Sequence, residues 1–470
     1  MIAEHVPPRT DVLVIGGGIA GHSAALSAAE RGAASVVLLE KTADFGGSSR
    51  QAVGGFAFAG TDLQREAGAF DSNEELRRDL LKSGEGRNDA ALLQLFLDRQ
   101  LDAYDWLRQH GVEFGYSRPV AGGSSVHTHS NWGGQAIRAL HERVLSHPRV
   151  CYVPGHAAQR LVRGDEERTS VVGVKLTASA DKASILHTGG GVVLATGGFS
   201  RGRQYMEAFA PQLLAAIPSG GIGNTGDGLR MATALGAGLA DMGWVSGTFG
   251  AALPGYPDRT PRDEEPLGLL FPIYSGAVAV NLHGKRFADE SASYKAIGKR
   301  CLEQPRGVAF QLFDSKTMAL SREAPAHNFR AALERGELRH ADTLAELATQ
   351  LGVDGAELMR TIDQYNGDAD AGVDGQFGRK IGAKIDQGPF YAYPCGVAVT
   401  TTFCGLTIDT ATRVLDVHGE PIAHLYAAGE LVAGFHGSNY MSGSALTKSV
   451  VTGRIAGANA AVASLTGATA

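Results

Sequence analysis

The chain has 470 residues, 44% of them hydrophobic and 20% charged, an ordinary globular composition with material for two domains and no fibrous, disordered or membrane-spanning character. With 43 lysines and arginines against 49 aspartates and glutamates the net charge is −6, both signs are spread along the sequence, and no basic surface for nucleic acid or membrane lipid is implied. Four widely spaced cysteines, Cys151, Cys301, Cys395 and Cys404, form no C-x-x-C, so zinc, iron–sulfur and attached haem lack support, no metal is expected, and reduced thiols are the expected state.

The opening MIAEHVPPRT holds no apolar signal or anchor segment, so a cytoplasmic location is expected. Residues 11–15 form a short apolar run, 19–31 carry alanine and leucine at helical spacing, and 35–40 are apolar again, which reads as a βαβ unit. A helical pattern covers 71–110, with Gly111 as its stop and with Tyr104 and Trp106 packing a helix face. A helix over 135–145 precedes strands near 150–153, 171–176 and 192–195, and 226–239 reads as another helix. After Gly250 the run GYPDRTPRDEEP is a candidate boundary. Helices follow over 344–351 and 356–365, then a glycine-rich stretch near 367–388, before the final part returns to strand, turn and helix.

Between the first strand and helix, Gly16-Gly17-Gly18-Ile19-Ala20-Gly21 supplies G-x-G-x-x-G, and Glu40 ends the next strand. Gly16, Gly18 and Gly21 let the backbone turn tightly and approach a pyrophosphate at the helix N-terminus, while the carboxylate accepts hydrogen bonds from a ribose. The competing reading, a glycine-rich turn without a ligand, does not account for the spacing of all the parts together. Because NAD and FAD proteins share the motif, it leaves the nucleotide open.

The 63 glycines, roughly twice the average usage, cluster in further loops: FGGSSRQAVGGF (45–56), VVLATGGFS (192–200), GNTGDGLRMA (223–232) and LYAAGELVAGFHGSNYMSGSALTKSVVTGRIAGANAA (425–461). In this order and spacing they resemble the flavoprotein subunits of fumarate reductase and succinate dehydrogenase, a family that includes 3-ketosteroid dehydrogenases and tricarballylate dehydrogenase. The resemblance implies an α/β fold: a discontinuous Rossmann-like FAD-binding domain, 1–250 and 386–470, interrupted by an α+β capping (catalytic) domain, 251–385. The active site would lie between them.

The family's cofactor contacts then fall on Glu40 and Lys41 near the adenosine ribose, and on Ser48, Ser49, Gly54 and Gly55 near the pyrophosphate and flavin ring. Others fall on Thr196, Gly197, Asp227 and Glu430, and on Ser444, Ala445 and Leu446, which open the last helix with its positive end against the flavin. Asp227 and Glu430, taken singly, also read as plain loop carboxylates. Ser48 matches the histidine that tethers the flavin in succinate dehydrogenases, so non-covalent FAD is implied.

At the substrate site the resemblance divides. The fumarate reductase motif G-x-R-F-x-x-E-x-x-x-R ends in a proton-donating arginine, whereas Gly284-Lys285-Arg286-Phe287-Ala288-Asp289-Glu290-Ser291-Ala292-Ser293 is followed by Tyr294. The family's H-G-x-N-R becomes His436-Gly437-Ser438-Asn439-Tyr440, and the histidine of H-T-x-G-G aligns with Thr401. Of four cationic groups only His436 is retained, which suits a dianion poorly. F-A-D-E-S-A-S-Y instead resembles 3-ketosteroid 1-dehydrogenases, and Tyr440-Met441-Ser442 resembles the Y-x-S of 3-ketosteroid 4-dehydrogenases.

The resemblance therefore implies Tyr294 as the base that removes a proton beside a ketone, and Tyr440 with a backbone N–H as the pair stabilising the enolate. A packing role is the alternative for each tyrosine. Ser442 either relays protons or binds flavin, and His436 contacts a carboxylate, assists a tyrosine or, as an isolated histidine, is structural. Arg118, His127 and His129, ahead of Trp132, are either carboxylate ligands or loop residues. The expected activity is desaturation of a small-molecule cyclic ketone, steroid-like or cyclohexanone-type, with an unassigned electron acceptor. An enoate reductase or tricarballylate-type dehydrogenase is the alternative, and a redox-sensing flavoprotein without turnover is a third reading.

Overall fold

The first apolar run forms strand β1 (Arg9–Ile15), followed by helix α1 (Ile19–Glu30) and strand β2 (Val36–Leu39). The computed structural model describes residues 6–52, 55–116, 126–131, 134–164, 170–177, 184–257, 268–380 and 382–467. β1 lies inside a sheet ordered Arg413–Leu415, Pro421–Ala427, Ile185–Leu194, β1, β2, Val150–Val153, with Ala158–Arg163 and Val171–Leu176 continuing it as a hairpin. Its neighbours Ile185–Leu194 and β2 both run parallel to it. Val12, Leu13 and Val14 are fully buried, because both faces of this sheet are covered, and that is why the strand reads as a continuous apolar run instead of an alternating one.

On one face α1 packs against the terminal helix Ser444–Gly467. α1 is rich in alanine, serine and glycine and is buried nearly all round, so the two backbones approach closely. A Cβ on Gly457 would lie 2.0 Å from the Ala24 carbonyl oxygen, and one on Gly453 2.3 Å from that of Ala20. The helical pattern over 71–110 resolves into Asn73–Ser83 and Ala90–Gln109. Tyr104 and Trp106 are buried, and their polar tips donate to Asp62 and Glu30.

A second, largely antiparallel sheet is ordered Thr248–Ala252, Phe390–Val399, Ala309–Phe313, Val278–Asn281, with Arg339–Ala341 and Ile217–Pro218 joined to Phe390–Val399. Phe390–Val399 falls in the segment expected to return to the cofactor domain, yet it is the strand around which this sheet is built. The helix Tyr294–Leu302 packs on this sheet against Thr248–Ala252 and Phe390–Val399. Thr248 at the start of one strand of this sheet, and Thr400, Thr401 and Thr402 just beyond Phe390–Val399, line the cavity described below. Among the described residues no helix is long and apolar enough to cross a membrane, and no group of three or more His, Cys, Asp or Glu is placed to hold a metal.

Candidate active site

A cavity of about 670 Å³ extends from the C-terminal ends of β1 and β2 to the junction of the two sheets. Gly16 has φ +115°, and a Cβ there would sit 2.2 Å from the Ala195 carbonyl oxygen, so only glycine fits. Gly18 gives α1 no side-chain cap of its own, and apart from the Ile19 amide, which Ser49 takes, the first-turn amides are available to an anion. Gly21 lies one turn inside the helix, where a Cβ would come 1.8 Å from the Gly16 oxygen; its role is close packing and not contact with the cavity.

The Glu40 carboxylate is fixed beside this cradle. Its Oε2 accepts from the Gly17 amide (2.7 Å), and its Oε1 accepts from the Thr42 amide and hydroxyl (both 2.8 Å). Ser49 Oγ accepts from the Ile19 amide (3.1 Å). Thr196 lines the cavity with a buried hydroxyl that has no partner among the described residues. A glycine cradle, an uncapped helix start, an ordered carboxylate and an unpartnered hydroxyl fit the pyrophosphate and ribose of a dinucleotide.

Further along, Ser48 Oγ accepts from the Gly221 amide (2.9 Å) and Asn224 Nδ2 (3.0 Å), and Asn224 also donates to Glu430 (3.1 Å). Glu430 accepts in addition from the Thr402 amide (2.9 Å), and burial pushes its pKa up against these bonds. Asp227 is turned to Lys41, whose Nζ donates to it at 2.6 Å and to Thr225 at 2.7 Å. Gly55, Gly197, Ala445 and Leu446 line the cavity, while the Ser444 hydroxyl donates to the Met441 carbonyl (2.6 Å). Gly54 lies outside the described residues.

At the far end Tyr294 opens its helix after Ser293, whose hydroxyl accepts from the Ala296 amide. The Tyr294 ring stacks on Phe271 (centroids 5.4 Å, 23°), and Tyr440 stacks on Phe403 (5.5 Å, 23°). The two phenols and the Ser442 hydroxyl are near enough to shift one another's chemistry: burial raises the Tyr294 pKa well above its ordinary value of 10, Tyr440 raises it further, and Ser442 opposes them. His436 sits edge-on to Tyr440 at 5.8 Å. Burial pushes its pKa well below the ordinary value, so it is a neutral imidazole and brings no charge for an anion.

The motif residues ahead of Tyr294 have a structural task. Arg286 is buried and bonds Glu290 (3.0 and 2.7 Å) and Asp374 (3.2 and 2.8 Å), while Arg379 reaches Glu290 at 3.3 Å. This network fixes the turn that delivers Tyr294. His127 is held between Asp71 (2.7 Å) and Asp79 (3.2 Å), and His129 bonds Thr61 (2.7 Å). Both are fully buried and already partnered; Arg118 and Trp132 lie outside the described residues. Sequence reasoning passed over Thr248, Phe271, Thr402, Asn224 and Lys295. Lys295 left a signal: with Gly298 and Cys301 it shares the inward stripe of its helix, where a lysine is out of place.

The family described as FAD binding domain matches residues 11–446. A probable fumarate reductase of Shewanella frigidimarina is 32% identical, with 98% of this chain and 76% of that protein covered. Among solved structures, the open conformation of a flavocytochrome c3 fumarate reductase is similar at 31% identity and a TM-score of 0.83, covering 97% of this chain and 79% of that one. The 3-ketosteroid-Δ4-(5α)-dehydrogenase of Rhodococcus jostii RHA1, in complex with 4-androstene-3,17-dione, is similar at 26% identity and a TM-score of 0.73, covering 97% and 98%.

Proposed function

The chain belongs to the FAD binding domain family and is an FAD-dependent oxidoreductase, and from that premise we propose that it desaturates a cyclic ketone, steroid-like or cyclohexanone-type, between the α and β carbons. The reading is carried by the cluster of Tyr294, Tyr440 and Ser442 hydroxyls at the end of the cavity that also holds the glycine cradle. No arginine lies among the described lining residues at that end. Arg50, the arginine that does line the cavity, lies over Phe45 beside the cradle, 5.6 Å from its centroid. A neutral His436 and two phenols recognise a carbonyl oxygen better than a dicarboxylate, and the stacked Phe271 offers an apolar face to a ring.

Gly16, Gly17, Gly18 and the start of α1 are assigned to the cofactor's pyrophosphate, Glu40 to its ribose, Glu430 to the ribityl side, and Ala445 with Leu446 to the flavin edge. Lys41 and Asp227 act as a pair at the rim, and Ser48 leaves the cofactor non-covalent. FAD, when bound, supplies the two-electron acceptor for the hydride leaving the β carbon. The ketone oxygen accepts from Tyr440, whose own amide is taken by Asn439 Oδ1 (2.9 Å), so the backbone donor falls to the 441–443 turn. Two such donors lower the barrier by several kcal/mol, at about 3 kcal/mol each. The Tyr294 oxygen takes the α proton as phenolate and becomes the phenol, and Ser442 stabilises the anionic form.

The same groups serve the opposite direction, reduction of an enone. Burial favours that reading, because a phenol held well above its ordinary pKa keeps its proton at neutral pH. Anaerobic mixing with a panel of saturated ketones, and with the dicarboxylates succinate and tricarballylate, tests the proposal. Ketones should bleach the flavin and turn over with an artificial acceptor. A dicarboxylate that reduces it faster than every ketone, or no bleaching with any compound, overturns it.

A further inference from the structure

Lys295 follows Tyr294 in the helix and points into the protein, with 6% of its surface exposed. Its Nζ donates to Thr248 Oγ1 at 2.7 Å and to the Ser246 carbonyl at 3.3 Å. Among the described residues no carboxylate pairs with it. The ammonium lies over three aromatic rings, 5.7 Å from the centroid of Tyr294, 5.5 Å from that of Tyr440 and 5.5 Å from that of Phe403. A buried cation without a counter-ion destabilises a fold, and burial alone pushes this amine down to about 7. Packing at this position would be served by methionine. What the lysine adds is charge, delivered beside the two phenols of the site.

We propose that Lys295 is a positioning residue whose ammonium stabilises the phenolate of the Tyr294–Tyr440 pair and so makes Tyr294 a usable base. The inference rests on the reading of Tyr294 as that base. A phenolate and an ammonium each favour the other's charge, so the proposal requires the two groups to titrate as a pair. The surrounding groups do not supply the same charge. His436 is neutral and Tyr274, beside Tyr294, is pushed up by burial. Strand Thr248–Ala252 carries no titratable side chain. In strand Phe390–Val399, Tyr393 and Cys395 are held neutral by burial and Tyr391 packs against Phe313. On the lysine's own helix, burial pushes Cys301 up to about 12 while Lys299 and Arg300 are exposed, as is Arg306 in the turn beyond it. Lys448, the buried lysine that lines the cavity, donates to the Val432 carbonyl (2.7 Å), and its charge acts on His436 and Glu430.

The test uses the FAD-loaded protein. Tyrosinate difference absorbance, wild type minus Tyr294→Phe, gives the ionisation of Tyr294 itself, and the pH profile of flavin reduction by a saturated cyclic ketone gives its use. Lys295→Met should move both midpoints up by about one to two pH units, the effect of a unit charge at this distance with an effective dielectric constant of about 20. At a fixed pH below the midpoint, reduction should slow by about 10- to 100-fold. Lys295→Arg should recover most of the shift. Because methionine removes a buried charge, the thermal midpoint at pH 6 should not fall; a packing role predicts a lower thermal midpoint with both pH midpoints unchanged, and that result overturns the inference. If Lys295→Met does not load FAD, Thr248→Val, which removes the ammonium's hydroxyl partner, should shift both midpoints the same way, and an unshifted profile counts against the proposal. Unshifted midpoints with an inactive Tyr294→Phe defeat this inference alone, whereas an active Tyr294→Phe defeats the proposed reaction.

Discussion

Changing Tyr440 to Phe should have two effects of opposite sign, and their combination is specific to the proposed chemistry. The substitution keeps the ring stacked on Phe403 (centroids 5.5 Å) and removes one oxygen. Loss of one preorganised donor to a developing oxyanion lowers the rate about a hundred- to a thousandfold, or roughly 3 to 4 kcal/mol. The same hydroxyl also raises the Tyr294 pKa, so its removal should let Tyr294 ionise at lower pH. Stopped-flow flavin reduction by a saturated cyclic ketone, followed from neutral to alkaline pH, should therefore show a plateau lowered about a hundredfold or more and a midpoint moved down. FAD content should match wild type. An unchanged plateau would mean that Tyr440 does not bind the carbonyl, and a lowered plateau with the midpoint moved up would contradict the coupling of the two phenols.

Acid precipitation of the yellow protein should release intact FAD into the supernatant if, as proposed, Ser48 occupies the tether position; flavin pelleting with the polypeptide would refute non-covalent binding. Asp374→Asn leaves the buried Arg286 with one carboxylate fewer and should destabilise the fold by about 3 kcal/mol, read as a lower urea midpoint; an unchanged midpoint would remove the network from the account. Tyr152 and Tyr393 are buried with pKa values pushed above their ordinary 10. The unfolded chain therefore binds fewer protons than the fold above pH 10, and each group should reduce stability there by up to about 1.4 kcal/mol per pH unit. Tyr152→Phe, which removes a buried hydroxyl without a partner among the described residues, should make that alkaline decline shallower in urea titrations, and an equally steep decline would contradict it.

Much of the cofactor half was legible because its signals are local. β1, α1 and β2 follow from apolar periodicity and the glycine turn between them; in the interrupting segment, the helix Leu344–Leu351 matches its pattern because a Thr343–Glu346 capping box and Gly352 mark its two ends. Elsewhere neighbours decided. The helix expected over 226–239 ends at Thr233, where the chain turns through Gly236 at φ +89° into strand Leu239–Ala240. The helix expected to stop at 365 continues through Gly367 to Ala371, because a single interior glycine costs only about 1 kcal/mol. Strand Phe390–Val399 showed no alternation, being buried at all ten positions with Pro394 and Gly396 inside it, and only its long-range pairings define it.

The two tyrosines were legible through the resemblance of their motifs to those of 3-ketosteroid dehydrogenases. Thr248 and Phe403 were not, since they reach Lys295 and Tyr440 from separate parts of the chain. The burial of His436 has no local signature, and that of Lys295 shows only in the stripe it shares with Gly298 and Cys301.

The central claim is that Tyr294 exchanges the α proton of a ketone, and flavin reduction by a saturated cyclic ketone in Tyr294→Phe tests it most directly. The variant retains the ring that stacks on Phe271 and loses only the ionisable oxygen. It should load FAD and bind the ketone as wild type does, while flavin reduction and any wild-type exchange of α deuterium with solvent disappear. In wild type the rate should climb with pH toward the phenolate form. Rapid flavin bleaching by Tyr294→Phe would contradict the account and leave Tyr294 as a packing residue.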